Sequence, residues 1–199
     1  MYPRVQQFFP LVTLLIGCSA PEVLEPRPGL APSAINFSGK WLLRSDKERD
    51  DERIRKAIRI TDGVSDEALF QSASPGSQAG SPSQSSRLKG GLVYIFLETG
   101  RSLQITQTSH GLFISFDRAV VEEFRFGEDR MINIGEVEVQ RVTGWENNEL
   151  VVETLDKNSM KMTERFKLIN EGLVLHRTIS LRSRAGDVES FVQLFDRVP

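Results

Sequence analysis

The sequence has few of the residues on which metal sites and covalent catalysis usually depend. Its 199 residues include one cysteine and two histidines. A single cysteine excludes an internal disulfide framework and any zinc or iron–sulfur site built from several cysteines. His110 and His176 leave little room for a metal centre, and no serine stands at a recognisable spacing from either. We therefore predict no metal, no cofactor and no catalytic residue.

The sequence also lacks an excess of charge of one sign. It has 25 basic and 27 acidic side chains, for a net charge of −2, which argues against a dedicated nucleic-acid-binding protein. Glu122 and Glu123, or Glu136 and Glu138, could supply a carboxylate pair of the kind glycosidases use. However, Glu136 and Glu138 alternate with valines, a pattern typical of the solvent face of a sheet. The sequence therefore predicts a protein that is not an enzyme.

Long apolar runs are absent except near the N-terminus. Phe8 to Gly17 is an apolar run of ten residues interrupted by Pro10. A helix that spans a bilayer needs about 20 such residues, whereas the core of a secretory signal peptide is shorter. We therefore predict that residues 1–17 are a signal peptide.

The apolar run ends in the sequence LIGC at residues 15–18, followed by Ser19. These residues resemble the lipobox of bacterial lipoproteins. The resemblance implies that Cys18 carries diacylglycerol, that the chain is cleaved before it, and that the new amine is acylated. Three acyl chains would hold the protein on a membrane essentially permanently. Because aspartate after the cysteine is associated with inner-membrane retention in that family, Ser19 implies the outer membrane and a domain facing the periplasm.

Residues 18–34 are predicted to form a tether between this anchor and the folded domain. The segment contains four prolines and almost no apolar periodicity, which is typical of an extended, polyproline-prone chain. At roughly 3.1 Å per residue it could reach about 50 Å from the membrane. The remaining residues, 35–199, are predicted to form one domain, within which residues 71–86 are a disordered loop rich in Gly, Ser, Pro and Gln.

The pattern of the domain predicts a mainly β fold. Residues 45–60 are predicted to form a helix with acidic residues first and basic residues later, and residues 87–100 form either a second helix or a strand. From residue 101 onward, short runs of alternating apolar residues are separated by turn residues such as Asn147-Asn148. With a first strand over residues 37–44, this gives eight or nine antiparallel strands in a meander that closes into a barrel.

The first predicted strand contains Gly39-Lys40-Trp41, which resembles the lipocalin motif Gly-x-Trp. The resemblance implies a lipocalin-like barrel in which Trp41 closes one end beneath an arginine from the last strand, a position that Arg197 matches. Residues 144–153 are similar to the lipocalin-like domains of uncharacterised bacterial exported proteins. Within that segment, we expect Trp145 to lie near a turn and to be partly exposed.

Three functional hypotheses follow, of which an enzyme with an unrecognised site is disfavoured by the lack of any reactive constellation of residues. The first is a membrane-anchored periplasmic lipoprotein whose barrel binds a small apolar ligand or lipid, through residues that the sequence does not identify. The alternative is a non-catalytic scaffold or envelope-assembly partner at the outer membrane, which uses exposed strands, the charged helix or the loop.

Replacing Cys18 by serine tests the predicted anchor. Without a thiol to modify, we expect Cys18→Ser protein to be soluble or to remain unprocessed, whereas the wild type stays with the membrane. Membrane fractionation and the mass of the processed chain measure this. Membrane association that is unchanged after high-salt and carbonate washes of the processed variant would refute the anchor.

Overall fold

The structure is a computed structural model that describes residues 22–44, 52, 101–116, 120–134 and 137–199. These residues form ten strands and one short 3-10 turn, Asn170–Gly172. In chain order, the strands are β1 Gly39–Leu43, β2 Ser102–Gln107, β3 Gly111–Phe116, β4 Val120–Arg125, β5 Glu128–Ile134, β6 Val137–Glu146, β7 Glu149–Asp156, β8 Lys161–Ile169, β9 Val174–Arg182 and β10 Val188–Val198.

The strands form one antiparallel sheet in the order β4-β3-β2-β1-β10-β9-β8-β7-β6-β5. Neighbours in the sheet are neighbours in the chain, with one exception: β1 pairs with β10. In that pair Trp41 lies opposite Arg197 and Leu43 lies opposite Phe195. The first and last strands therefore occupy the middle of the sheet, and β4 and β5 are its two edges.

The sheet curves until its inward side chains meet in one core. A single apolar cluster takes buried residues from all ten strands, which a flat sheet could not bring together. Its most deeply buried large members are Phe37, Trp41, Phe116, Phe124, Phe166 and Phe195. The predicted antiparallel meander that closes into a barrel is therefore confirmed, with the barrel nearly closed.

Ion pairs bridge the remaining gap between the edge strands. Arg130 on β5 lies 3.6 Å from the Glu123 carboxylate on β4 and donates a hydrogen bond to the Glu123 carbonyl at 3.0 Å. Arg125 on β4 reaches Glu128 on β5 at 3.5 Å. Side chains thus hold together two strands that share no backbone ladder.

The predicted number of strands is wrong because one apolar run contains two strands. Residues 132–142 suggest a single strand, but β5 and β6 both run through that segment and pair antiparallel, with Ile134 opposite Val137. Only residues 135 and 136 separate them. Such a short connection leaves apolar residues at close spacing on both sides, so the apolar pattern continues across it.

The predicted turn at Asn147-Asn148 is confirmed. Both residues have positive φ, 48° and 65°, the backbone that a two-residue hairpin with the correct twist requires. Asparagine is one of the few residues that tolerates this conformation. The turn connects β6 to β7, with Glu146 opposite Glu149.

Several sequence predictions concern residues outside the described part of the chain, among them the signal peptide over residues 1–17 and the lipidation of Cys18. Three more concern the segment between β1 and β2. These are the helix over residues 45–60, apart from Glu52, the helix or strand over residues 87–100, and the loop over residues 71–86. The two ends of the intervening segment are described. The backbone N–H of Leu43 donates to the carbonyl of Arg101 at 2.8 Å, so the chain leaves and re-enters the barrel at the same end.

The prediction of a free tether is corrected for residues 22–34. Residues 22–30, which we call the strap, lie along the outside of β6 and β7. The Leu24 side chain is 3% exposed and packs in a small cluster with Val142 and Leu155. Its N–H donates to Gln140 Oε1 at 2.9 Å, and Gln140 Nε2 donates back to the Leu24 carbonyl at 3.2 Å. The proline-rich composition indicated an extended chain correctly but could not show that the barrel binds it.

Charge pairs and a glycine complete the contact between strap and barrel. Arg27 bonds to Glu153 at 2.7 Å, and Lys161 lies 2.7 Å from the same carboxylate. Burial alone would raise the pKa of Glu153, but hydrogen bonds from Lys161 and Arg27 hold the pKa below its usual range. A Cβ on Gly144 would lie 2.5 Å from the Cβ of Arg27, so glycine lets the strap approach this closely.

Truncation of Leu24 tests whether the strap stabilises the fold. Leu24→Ala removes buried methyl groups, and we expect a loss of about 2–4 kcal/mol in the free energy of unfolding. Leu30→Ala is the matched control, since Leu30 is 87% exposed on the same segment and its truncation should change stability by less than about 0.5 kcal/mol. Urea unfolding followed by tryptophan fluorescence measures both. Equal stabilities of the two variants would contradict a bound strap.

Candidate functional site

Aromatic side chains fill one end of the barrel. Trp41 is 1% exposed, and its indole N–H donates to the Phe37 carbonyl at 2.9 Å. The Phe37 ring stacks on Trp145 at a centroid distance of 5.8 Å, and Phe126 meets Trp145 edge-on at 5.2 Å. Such pairs add stability beyond their buried area. We call these four residues the aromatic plug.

Arg197 covers the plug from β10. Its guanidinium carbon lies 4.4 Å from the centroid of the Trp41 ring, a cation–π geometry. The same guanidinium donates to the carbonyls of Ser38 and Gly172, both at 2.9 Å, and of Asn36 at 3.3 Å. The structure thus places Arg197 over Trp41, in the arrangement that the lipocalin resemblance implied. The role of this pair in closing the barrel stays a prediction.

The prediction that Trp145 is partly exposed is wrong. It does lie next to a turn, but it is only 5% exposed, and its ring points inward from β6 onto Phe37. Its position near a turn suggested exposure. In a strand, however, successive side chains point to opposite faces, and this alternation directs the Trp145 side chain inward. Trp145 shares the inward face with Val139 and Arg141, both buried.

A polar cluster lies in the apolar interior between the plug and the other end of the barrel. Arg177 on β9 has no exposed surface, and Glu164 on β8 and Gln193 on β10 are each 1% exposed. Arg177 Nε donates to Glu164 Oε1 at 3.0 Å, and Arg177 Nη1 donates to Gln193 Oε1 at 3.0 Å. Three adjacent strands thus each contribute one inward polar side chain. We call these residues the interior cluster.

Aromatic rings and a second ion pair surround the interior cluster. The Arg177 guanidinium lies 5.6 Å from the ring centroids of both Phe116 and Phe166. Arg141 on β6 donates to Glu122 on β4 at 2.9 Å and lies 4.9 Å from the Phe124 centroid. The interior is therefore mostly apolar, with a small number of oriented charges.

Beside the cluster, two buried oxygen atoms have no hydrogen-bond partner among the residues that the structure describes. One is Oε2 of Glu164, and the other is the hydroxyl Oγ1 of Thr154 on β7. Thr154 is 2% exposed and lies opposite Met162, two residues before Glu164 on the neighbouring strand. Both side chains therefore face the interior as diagonal neighbours.

The sequence analysis did not identify the interior cluster, although a signal was present. Arg177 alternates in phase with Leu175, Ile179 and Leu181, and Glu164 alternates in phase with Met162 and Phe166. A charged residue in phase with the apolar residues of a strand points inward. The alternation therefore marks both charges, but it does not show that they meet.

The other candidate residues do not form a site. His110 is exposed in a turn, and His176 lies half-buried on the outer face of β9, where burial lowers its pKa. Glu138 is exposed on the outer face of β6, as predicted, while Glu136 lies outside the described residues. Within the described ranges, no group of three or more carboxylate, histidine or cysteine side chains is placed to hold a metal.

A surface groove of about 640 Å³ lies where the strap meets the turn between β6 and β7. Arg27, Glu146, Glu153 and Lys161 line it and are already paired with one another across the groove. Its charges therefore hold the strap.

Within the described part of the chain, no helix has both the length and the hydrophobicity to cross a bilayer.

No family model and no curated protein matches the chain. Several solved structures are similar to it at low identity. One is the zebrafish ileal bile acid-binding protein complexed with cholic acid (16% identity, 83% of this chain and 100% of that chain covered, TM-score 0.46). Another is a Schistosoma mansoni fatty acid binding protein in complex with arachidonic acid (14% identity, 84% of this chain and 98% of that chain covered, TM-score 0.45). A third is a secretory abundant heat soluble protein from Ramazzottius varieornatus (15% identity, 81% of this chain and 94% of that chain covered, TM-score 0.47).

Replacing Arg197 by lysine tests its role over the plug. Lysine keeps the charge but loses the planar stack on Trp41 and the fork that reaches three carbonyls. We expect Arg197→Lys to lower the free energy of unfolding by about 1–3 kcal/mol. Arg184→Lys, at an exposed turn position, is the control and should change little. Thermal unfolding with tryptophan emission measures both, and an unchanged midpoint for Arg197→Lys would exclude a closing role.

Proposed function

We propose that this protein is a non-catalytic binding protein, anchored to the bacterial outer membrane through Cys18, whose barrel holds a small apolar ligand on the periplasmic side. The observation that carries the binding role is the interior cluster. Ligand pockets are lined mainly by apolar and aromatic side chains and contain a few placed polar groups that orient the ligand. The interior around Arg177 has this composition.

A purely structural role would explain the cluster poorly. Removing a guanidinium and a carboxylate from water costs several kcal/mol per ion, and an apolar replacement of similar size is often equally stable or more stable. Most of the other side chains in this interior are apolar, so an apolar pair at positions 164 and 177 would suit the fold as well. The retention of Arg177 and Glu164 supports recognition of a ligand group.

The strap bears on how far from the membrane an anchored barrel would lie. Glu22, the first described residue, pairs with Lys161 at 3.7 Å and with Arg182. Only residues 19–21 then separate the barrel-bound strap from Cys18. An anchor at Cys18 would accordingly hold the barrel close to the membrane surface, where it could take up or release an apolar molecule.

The alternative role as a scaffold has one observation in its favour. Phe113 and Val121 are 42% and 64% exposed on the outer face of β3 and β4. Exposed apolar side chains that lie close together can mark a protein contact. A partner at this face would leave the interior cluster without a role, so the two proposals make different predictions.

A variant without the interior cluster tests the binding role. The chain from residue 18 onward carries Cys18→Ser, is exported behind a conventional secretory signal, and is purified without detergent. We expect mass spectrometry under native and then extracting conditions to show a small apolar molecule at close to one equivalent. We expect the double variant Glu164→Leu/Arg177→Met, which replaces the pair by apolar groups, to fold and to lose it.

The control is the double variant Glu149→Leu/Arg165→Met, which removes an ion pair (3.3 Å) on the outer face and should keep the ligand. A bare protein mass in repeated preparations, with no uptake of added apolar probes, would contradict the binding role. It would leave the scaffold as the better proposal.

A further inference from the structure

The arrangement of the interior cluster also indicates which polar group the ligand carries, an inference that rests on the proposed function. A single buried arginine would suit a ligand with a carboxylate. Here, however, the charge of Arg177 is already balanced. The guanidinium donates to Glu164 Oε1 and to Gln193 Oε1, and phenylalanine rings lie near it on β3 and β8.

An incoming carboxylate would therefore meet Glu164 as well as Arg177. The two carboxylates would repel each other in an interior that screens charge poorly. Displacing Glu164 from Arg177 would leave a buried, unpaired charge, which is strongly unfavourable. The cluster thus disfavours an anionic head group.

The atoms left open have a different chemistry. Within the described ranges, Glu164 Oε2 and Thr154 Oγ1 are buried without a hydrogen-bond partner. An ionised carboxylate can only accept hydrogen bonds, whereas a hydroxyl can both donate and accept. The two side chains are diagonal neighbours across β7 and β8, and no bond joins them, although each would gain from one.

From this juxtaposition we infer that the barrel binds an uncharged, mainly apolar molecule with a hydroxyl group placed between Glu164 and Thr154. The ligand hydroxyl donates its proton to Glu164 Oε2 and accepts a hydrogen bond from the Thr154 hydroxyl. Both unpartnered atoms are then satisfied without disturbing the Arg177–Glu164–Gln193 bonds. A bond to a charged acceptor is among the stronger protein hydrogen bonds.

Three probes with the same 12-carbon tail test this ligand class: 1-dodecanol, methyl dodecanoate and dodecanoate. Each competes with the neutral fluorophore N-phenyl-1-naphthylamine for the detergent-free chain from residue 18 onward carrying Cys18→Ser. We expect 1-dodecanol to bind about tenfold more tightly than either of the other two, since the ester has no donor and the acid is charged.

Two variants connect the preference to these residues. Thr154→Val keeps the ion pair and the side-chain shape, so we expect the variant to fold. Its affinity for 1-dodecanol should fall by about fivefold to tenfold, and its affinity for methyl dodecanoate should not change. Thr163→Val is the matched control on the outer face of β8 and should change none of the affinities. Glu164→Gln leaves Arg177 uncompensated, and we expect it to shift the preference from the alcohol toward dodecanoate by at least tenfold.

The results separate this inference from the proposed function. If no tail displaces the fluorophore and none is retained in native mass spectra, the binding role itself is wrong. If the tails bind but 1-dodecanol has no advantage over methyl dodecanoate, or dodecanoate binds best, the barrel is a binding protein and the hydroxyl inference is overturned. An equal loss of all three probes in Thr154→Val would overturn it as well.

Discussion

The antiparallel pairing of β1 with β10 is the contact on which the rest of this structure depends. It joins β1–β4 and β5–β10, which share no other backbone pairing, into one sheet that curves into a nearly closed barrel. Closure brings the two edge strands within reach of each other's side chains and brings inward residues of all ten strands into one apolar cluster. The same register sets Arg197 opposite Trp41, and the covered aromatic plug is a direct consequence of it.

A closed interior imposes a strict condition on every inward polar group, because each must find its partner inside the barrel. Arg177 satisfies this condition through Glu164 and Gln193. One oxygen of Glu164 and the hydroxyl of Thr154 find no such partner in the described part of the chain. On the outside of the barrel, the apolar residues Val142 and Leu155 are buried because Leu24 of the strap covers them. Buried positions therefore occur on both faces of β6 and β7, although alternation predicts that one face of each strand is exposed to solvent.

Much of the fold could be predicted because alternation is a local property of the chain. The short runs after residue 101, the Asn147-Asn148 turn and the meander all follow from it. The strand count was wrong where the run over residues 132–142 hid a two-residue connection, and Trp145 was misplaced because closeness to a turn outweighed its parity. The tether was misjudged for residues 22–34 because composition shows that a chain is extended but not what it lies against. The site was the least predictable part, since its members come from three strands.

Through alternation, the sequence by itself marked which residues of a strand share a face, and it excluded a site built from several cysteines. The anchor at Cys18 stays a prediction from a short motif. The physical reason is that the pleat of a strand and a short motif are read over a few neighbouring residues. Only the tertiary structure decided that Arg177 meets Glu164 and Gln193, which lie 13 and 16 residues away, and that Leu24 packs beside Gln140, 116 residues away. Those contacts depend on strand register and on closure of the barrel. Both are set by the lengths of all the turns together and by the packing of the whole core.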